Sequence, residues 1–118
     1  MENIKTVADF KRALTIGKEL TMIHHMKLSG YDENKKPIFS DADPVKRIVK
    51  RVLSTQVVFE TPEGKESWAD FPKASKVILD GNRVTYLEPD TRQFKGGHLN
   101  SEAESKLPLI PMLTYIFN

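Results

Sequence analysis

The spacing of apolar residues changes along this chain, and each change predicts an element. Near the start, Val7, Phe10 and Leu14 recur at helical intervals. Thr6 stands where an N-cap belongs, and Asp9 three residues on can complete a capping box. A short helix over 6–14 follows, with Gly17 placed to end it in a left-handed conformation. So short a helix needs the rest of the domain to pack against. From 19 to 28 the pattern alternates. Leu20, Met22, His24, Met26 and Leu28 share one face, while Thr21, Ile23, His25 and Lys27 share the other, which predicts a strand.

Residues 29–37 are polar and turn-rich and predict an exposed loop, with Ile38 and Phe39 rejoining the body. The segment 44–53 fits two patterns. Val45, Ile48, Val49, Val52 and Leu53 match a helical stripe, with Asp43 as N-cap and Pro44 at the first helical position. The same residues are dense in β-branched side chains and run straight into 55–61, itself strand-like, so a strand over 47–53 is preferred. Pro62-Glu63-Gly64-Lys65 is a tight turn. Asp80-Gly81-Asn82 lies between two apolar runs at 77–79 and 83–87, a hairpin signal. A long polar loop is expected over 88–106, followed by a closing strand over 109–117 with Pro111 at a sheet edge or bulge.

Near the middle stands Glu66-Ser67-Trp68-Ala69-Asp70-Phe71-Pro72-Lys73-Ala74-Ser75, which holds the only tryptophan. It predicts a corner between two groups of strands, with Trp68 and Phe71 wedged beneath the turn and Pro72 redirecting the chain. The sum is one α+β domain over 1–118, mainly antiparallel. A short N-terminal helix precedes a small bent sheet or SH3-like barrel of five to six strands.

Composition narrows the function classes. The 118 residues contain no cysteine, which excludes disulfides, thiolate metal sites and cysteine nucleophiles. A net charge of +2, with both signs spread along the chain, does not by itself argue for nucleic acid. The opening residues lack the apolar run of a signal peptide and no stretch reaches membrane-spanning length, so a cytoplasmic protein is expected.

Candidate chemistry is sparse. His24, His25 and His98 are the only histidines, and neighbours on a strand face opposite ways, so no metal site is expected. The carboxylates form no recognisable pair, and Lys95-Gly96-Gly97-His98 lacks the spacing of a phosphate loop. No catalysis and no cofactor are expected. The sharpest charge feature is Lys46, Arg47, Lys50 and Arg51, with Lys35 and Lys36 nearby. On a helix these four form one basic face; on a strand they divide between two. They read either as a solvated edge strand protected from aggregation or as a surface for phosphates or an acidic protein.

Together, Val7-Ala8-Asp9-Phe10-Lys11, Arg47-Ile48-Val49-Lys50-Arg51-Val52, the 55–59 strand and the Ser67-Trp68 to Pro72-Lys73-Ala74-Ser75 corner carry a resemblance. They resemble a loose group of small uncharacterised proteins from phages, plasmids and other mobile elements of Gram-positive bacteria. The resemblance implies a helix followed by strands and brings no catalytic residue. The expected function is a non-enzymatic binding protein from a mobile element, acting on a host protein, with inhibition of a host defence system as one form. The alternative is a nucleic-acid-binding accessory domain using the basic stretch.

Overall fold

The computed structural model describes residues 2–90 and 106–118. Among the described residues one α-helix, α1 (Val7–Ala13), is followed by nine strands: β1 (Glu19–His24), β2 (Lys27–Tyr31), β3 (Pro37–Ser40), β4 (Val45–Val52), β5 (Gln56–Glu60), β6 (Glu66–Asp70), β7 (Val77–Asp80), β8 (Arg83–Pro89) and β9 (Leu109–Phe117), with a short 3-10 turn over Ala74–Lys76. Seven strands form one antiparallel sheet in the order β6-β5-β4-β1-β9-β8-β7, and β2 with β3 makes a separate two-stranded sheet. The α+β, mainly antiparallel expectation holds. The strand count is larger than the five to six expected, and the sheet is not closed into a barrel.

The capping box forms as its residues predict: the Thr6 hydroxyl accepts from the Asp9 backbone, and the Asp9 carboxylate accepts from that of Thr6. Gly17 has a positive φ of 89°, but it lies in the turn into β1 and not at the helix end, which Leu14 closes. Phe10 and Leu14 drive into the inner face of the sheet, where Leu20, Val49, Val57, Phe59, Val84, Tyr115 and Phe117 join them with Ile4. Phe10 meets Phe71, Tyr86 and Phe117 edge-on, at centroid separations of 6.3, 6.4 and 6.0 Å. Phe71 follows β6 and Tyr86 belongs to β8, so the two ends of the sheet curl towards the same helix.

The corner at 71–76 carries the chain from β6 at one edge of the sheet to β7 at the other. A connection that short requires the edges to approach. The Tyr86 hydroxyl donates to the Asp70 carbonyl at 2.8 Å and ties them together. Phe71 and Pro72 therefore sit where the sequence places them. Trp68 does not. Residues three apart on extended chain face opposite ways; with Phe71 inward, Trp68 points outward and is 51% exposed.

Three further expectations resolve. Residues 45–52 are a strand, but β4 lies between β5 and β1 and is no edge. Of the polar 29–37 segment, 32–36 are an exposed turn as expected, but they form the tip of a hairpin whose strands take in 29–31 and Pro37. Pro111 stands beside a bulge, where the β8–β9 register shifts between Tyr86 and Leu87. The 88–106 loop falls mostly on residues 91–105, outside the described residues, as does His98.

Candidate interaction surface

The basic stretch is placed by one irregularity in β4. Register runs Ile48 opposite Glu60 and Val49 opposite Phe59, then shifts so that Arg51 faces Val58, leaving Lys50 as the extra residue of a bulge. A regular strand would part Lys50 from Arg51. The bulge instead lets both reach one carboxylate: Glu66 accepts from Lys50 at 3.0 Å and Arg51 at 3.2 Å. Two cations hold the Glu66 carboxyl below the usual carboxylate range, through the Lys50 hydrogen bond first and the Arg51 charge after it.

Lys46 pairs with Glu19 at 3.1 Å on the same outer face. Arg47 goes the other way. It faces Leu20 across the ladder, on the core side, with its Nε buried and unpartnered among the described residues. The four basic residues thus do not form one patch: three share the outer face with the acids that neutralise them, and the fourth lies across the sheet.

Trp68 shares that outer face. Cross-strand register aligns Arg51, Val58 and Trp68, and the Arg51 guanidinium lies over the indole, 5.8 Å from its centroid. Val58 beneath them is fully buried although it points away from the main core.

The second surface is the β2–β3 arm. Its strands pair with each other and with no strand of the main sheet, and no residue from 27 to 40 is buried. Asp32 builds the tip: its carboxylate accepts from the Asn34 and Lys36 backbones, and Lys35 takes a φ of 61°. A bulge at Ser29 sets the faces, so that Leu28, Phe39, Tyr31 and Pro37 lie on one side and Ile38 on the other. Leu28 and Tyr31 are 50% and 65% exposed. The sequence pattern missed this arm because the polar tip dominates its composition. The alternation on both sides of the tip, Leu28 to Tyr31 and Pro37 to Phe39, is the signal that carried it.

A polar chain roots the arm. His25 Nδ1 lies 2.7 Å from Asp41, His25 Nε2 lies 2.7 Å from the Thr114 hydroxyl, and that hydroxyl lies 3.0 Å from Thr85. His25 and Asp41 stand on either side of the arm, and Ala42 N–H to His24 carbonyl closes its base at 2.7 Å. The order acid, imidazole, hydroxyl resembles a nucleophile relay, but Thr114 is 5% exposed in mid-sheet, bonded on both sides to its neighbours. It acts as a brace between β1, β9, β8 and the arm. His24 faces Leu113 on the opposite side, so the adjacent histidines diverge as the alternation predicts. Among the described residues no group of three metal-binding side chains gathers, and no helix is long and apolar enough to cross a membrane.

The chain matches no protein-family model, no curated protein and no solved structure.

Proposed function

We propose that this is a protein-interaction module whose contact element is the β2–β3 arm. The observation that carries this reading is the free-standing hairpin with an apolar face. A lone two-stranded hairpin is marginal in water without a third strand or a packing partner, and this one turns Leu28, Phe39, Tyr31 and Pro37 to one side, where Leu28 and Tyr31 stand exposed. Aromatic and aliphatic residues on a projecting element are the composition of a binding hot spot. The resemblance to mobile-element proteins supports a bacterial host protein as partner and interference with a host process, such as a defence system, as the purpose. The chain's role is to bind, without catalysis or cofactor.

A second reading, single-stranded nucleic acid, is favoured by one observation: Trp68 is exposed beside Lys50 and Arg51, the arrangement of a stacking platform. Against it, Lys46, Lys50 and Arg51 are answered by Glu19 and Glu66, and Glu60 and Asp70 join them on that face. Phosphate binding needs unneutralised cations.

The deciding experiment sets both readings against each other. Immobilised protein is exposed to lysates of Gram-positive bacteria at physiological salt, beside the variant Leu28→Ser/Tyr31→Ser. A protein retained by the wild type and lost with the variant supports the arm; one retained equally by both overturns it. Salt-sensitive binding to short DNA, abolished by Lys50→Glu with Arg51→Glu, places the second reading first.

A further inference from the structure

We infer that the open edge of β6 is a strand-addition site for an extended peptide segment of a partner protein, one presenting an apolar side chain opposite Trp68 and a lysine or arginine opposite Asp70. This deepens the protein-binding reading and rests on it, but uses a surface other than the arm.

The phase of the β5–β6 ladder decides which groups are free. Phe71 N–H bonds the Thr55 carbonyl at 3.0 Å, and Thr61 N–H bonds the Lys65 carbonyl at 2.8 Å. Both pairs belong to the register that sets Val57 opposite Ala69 and Phe59 opposite Ser67. Odd-numbered residues of β6 therefore bond inward to β5. Glu66, Trp68 and Asp70 turn their backbone N–H and C=O groups to the open side. The Asp70 carbonyl is taken by the Tyr86 hydroxyl, which ends the free ladder there. Glu66 and Trp68 keep both groups, and among the described residues no strand lies beside them. An edge with an exposed tryptophan at its centre is a template for another chain.

Side chains on the same edge select the occupant. An added strand sets a residue directly opposite Trp68, within reach of the indole. The Glu66 charge is answered within the sheet by Lys50 and Arg51, whereas among the described residues the Asp70 carboxylate meets only the Gln56 amide, at 2.8 Å. A cation opposite Asp70 completes the edge. A second copy of this chain does not: antiparallel pairing of two β6 strands about Trp68 sets Glu66 of one copy opposite Asp70 of the other, like charges face to face. On the inner side Ser67 and Ala69 are small and only partly buried, leaving room for the side chains of an added strand.

Trp68 is the only tryptophan and reports its own occupancy. The probe is the capped peptide Thr-Arg-Val-Ile-Thr-Lys-Thr, whose antiparallel alignment sets its arginine at Asp70 and its isoleucine at Trp68. The expected result is a saturable blue shift of Trp68 emission. Binding should weaken roughly tenfold or more when the peptide's β6-facing amides are N-methylated, and also in Asp70→Asn, a loss of about 1.4 kcal/mol or greater. The Leu28→Ser/Tyr31→Ser variant should give the same shift as wild type, so that failure of the arm and failure of the edge are told apart. An unchanged spectrum at millimolar peptide overturns the proposal, as does an equal response to the N-methylated peptide. So does a shift produced by oligothymidylate in place of the peptide, or by protein concentration alone, which marks a second copy.

Discussion

Arg51 lies across the exposed face of Trp68, its guanidinium 5.8 Å from the ring centroid, while its Nη2 reaches Glu66 at 3.2 Å. One side chain thereby joins the basic stretch to the tryptophan and shields Val58 beneath both. The pair lies on the side of the sheet away from the main core, and that location sets apart two kinds of aromatic residue in this protein.

Trp68→Ala should change stability by no more than about 1 kcal/mol, the scale of an exposed cation–π contact. Phe10→Ala, which empties a fully buried site bordered by three rings, should cost about 3–5 kcal/mol. Urea unfolding of the two variants checks the contrast. A loss from Trp68→Ala matching that from Phe10→Ala would place the indole in the core after all.

Acid should weaken the contribution of Glu66. Its folded pKa lies below the unfolded value of 4.5, so its contribution to stability is present above that value and fades as pH falls through the folded one. The group is solvent-exposed, and salt should weaken the effect. An NMR titration of the Glu66 carboxyl should find it depressed in wild type and back in the ordinary range in Lys50→Met/Arg51→Met.

Alkali should act through the buried phenols. Burial raises the pKa of Tyr86, and raises that of Tyr115 to about 12 with the Arg47 charge opposing in part. Each group's folded pKa exceeds its unfolded value of 10.0, so stability is whole below pH 10 and falls as pH climbs towards 12. Unfolding followed by circular dichroism across that range should track phenolate absorbance. Ionisation of every tyrosine without unfolding would contradict the burial.

His25→Ala should loosen the arm more than the body. Thr114 keeps Thr85, but Asp41 and the strand ends beside it lose their tie. The expected cost is about 1–2 kcal/mol. Hydrogen exchange should quicken at the Ala42 N–H of the arm's base and leave the Phe59 and Val84 amides protected. Uniform acceleration at all of them would make His25 a general core residue instead of a brace.

Much of this fold is legible from local pattern, because its causes are local. The Thr6–Asp9 capping box, the Phe10–Leu14 stripe and the Asp80 to Arg83 hairpin each involve residues close in sequence, and each forms as predicted. The alternation expected over 19–28 holds only to His24, where β1 ends, and Lys27 opens the separate two-stranded sheet. Parity along a strand also belongs to the sequence: with Phe71 inward, Trp68 had to face out, and counting three residues along extended chain would have shown it.

Other features came only from the tertiary structure. β5 follows β4 directly as its hairpin partner, so whether β4 lies inside the sheet depends on β1, which pairs along its other side from a stretch some way back in the chain. The bulge at Lys50 is a mismatch between two strands and has no mark in either alone, yet it delivers two cations to Glu66. The His25 brace joins residues 16 and 89 positions apart. Residue chemistry and spacing set which elements form; the pairing of strands far apart in sequence set which side chains meet, because hydrogen-bond register is a property of two strands and not of one.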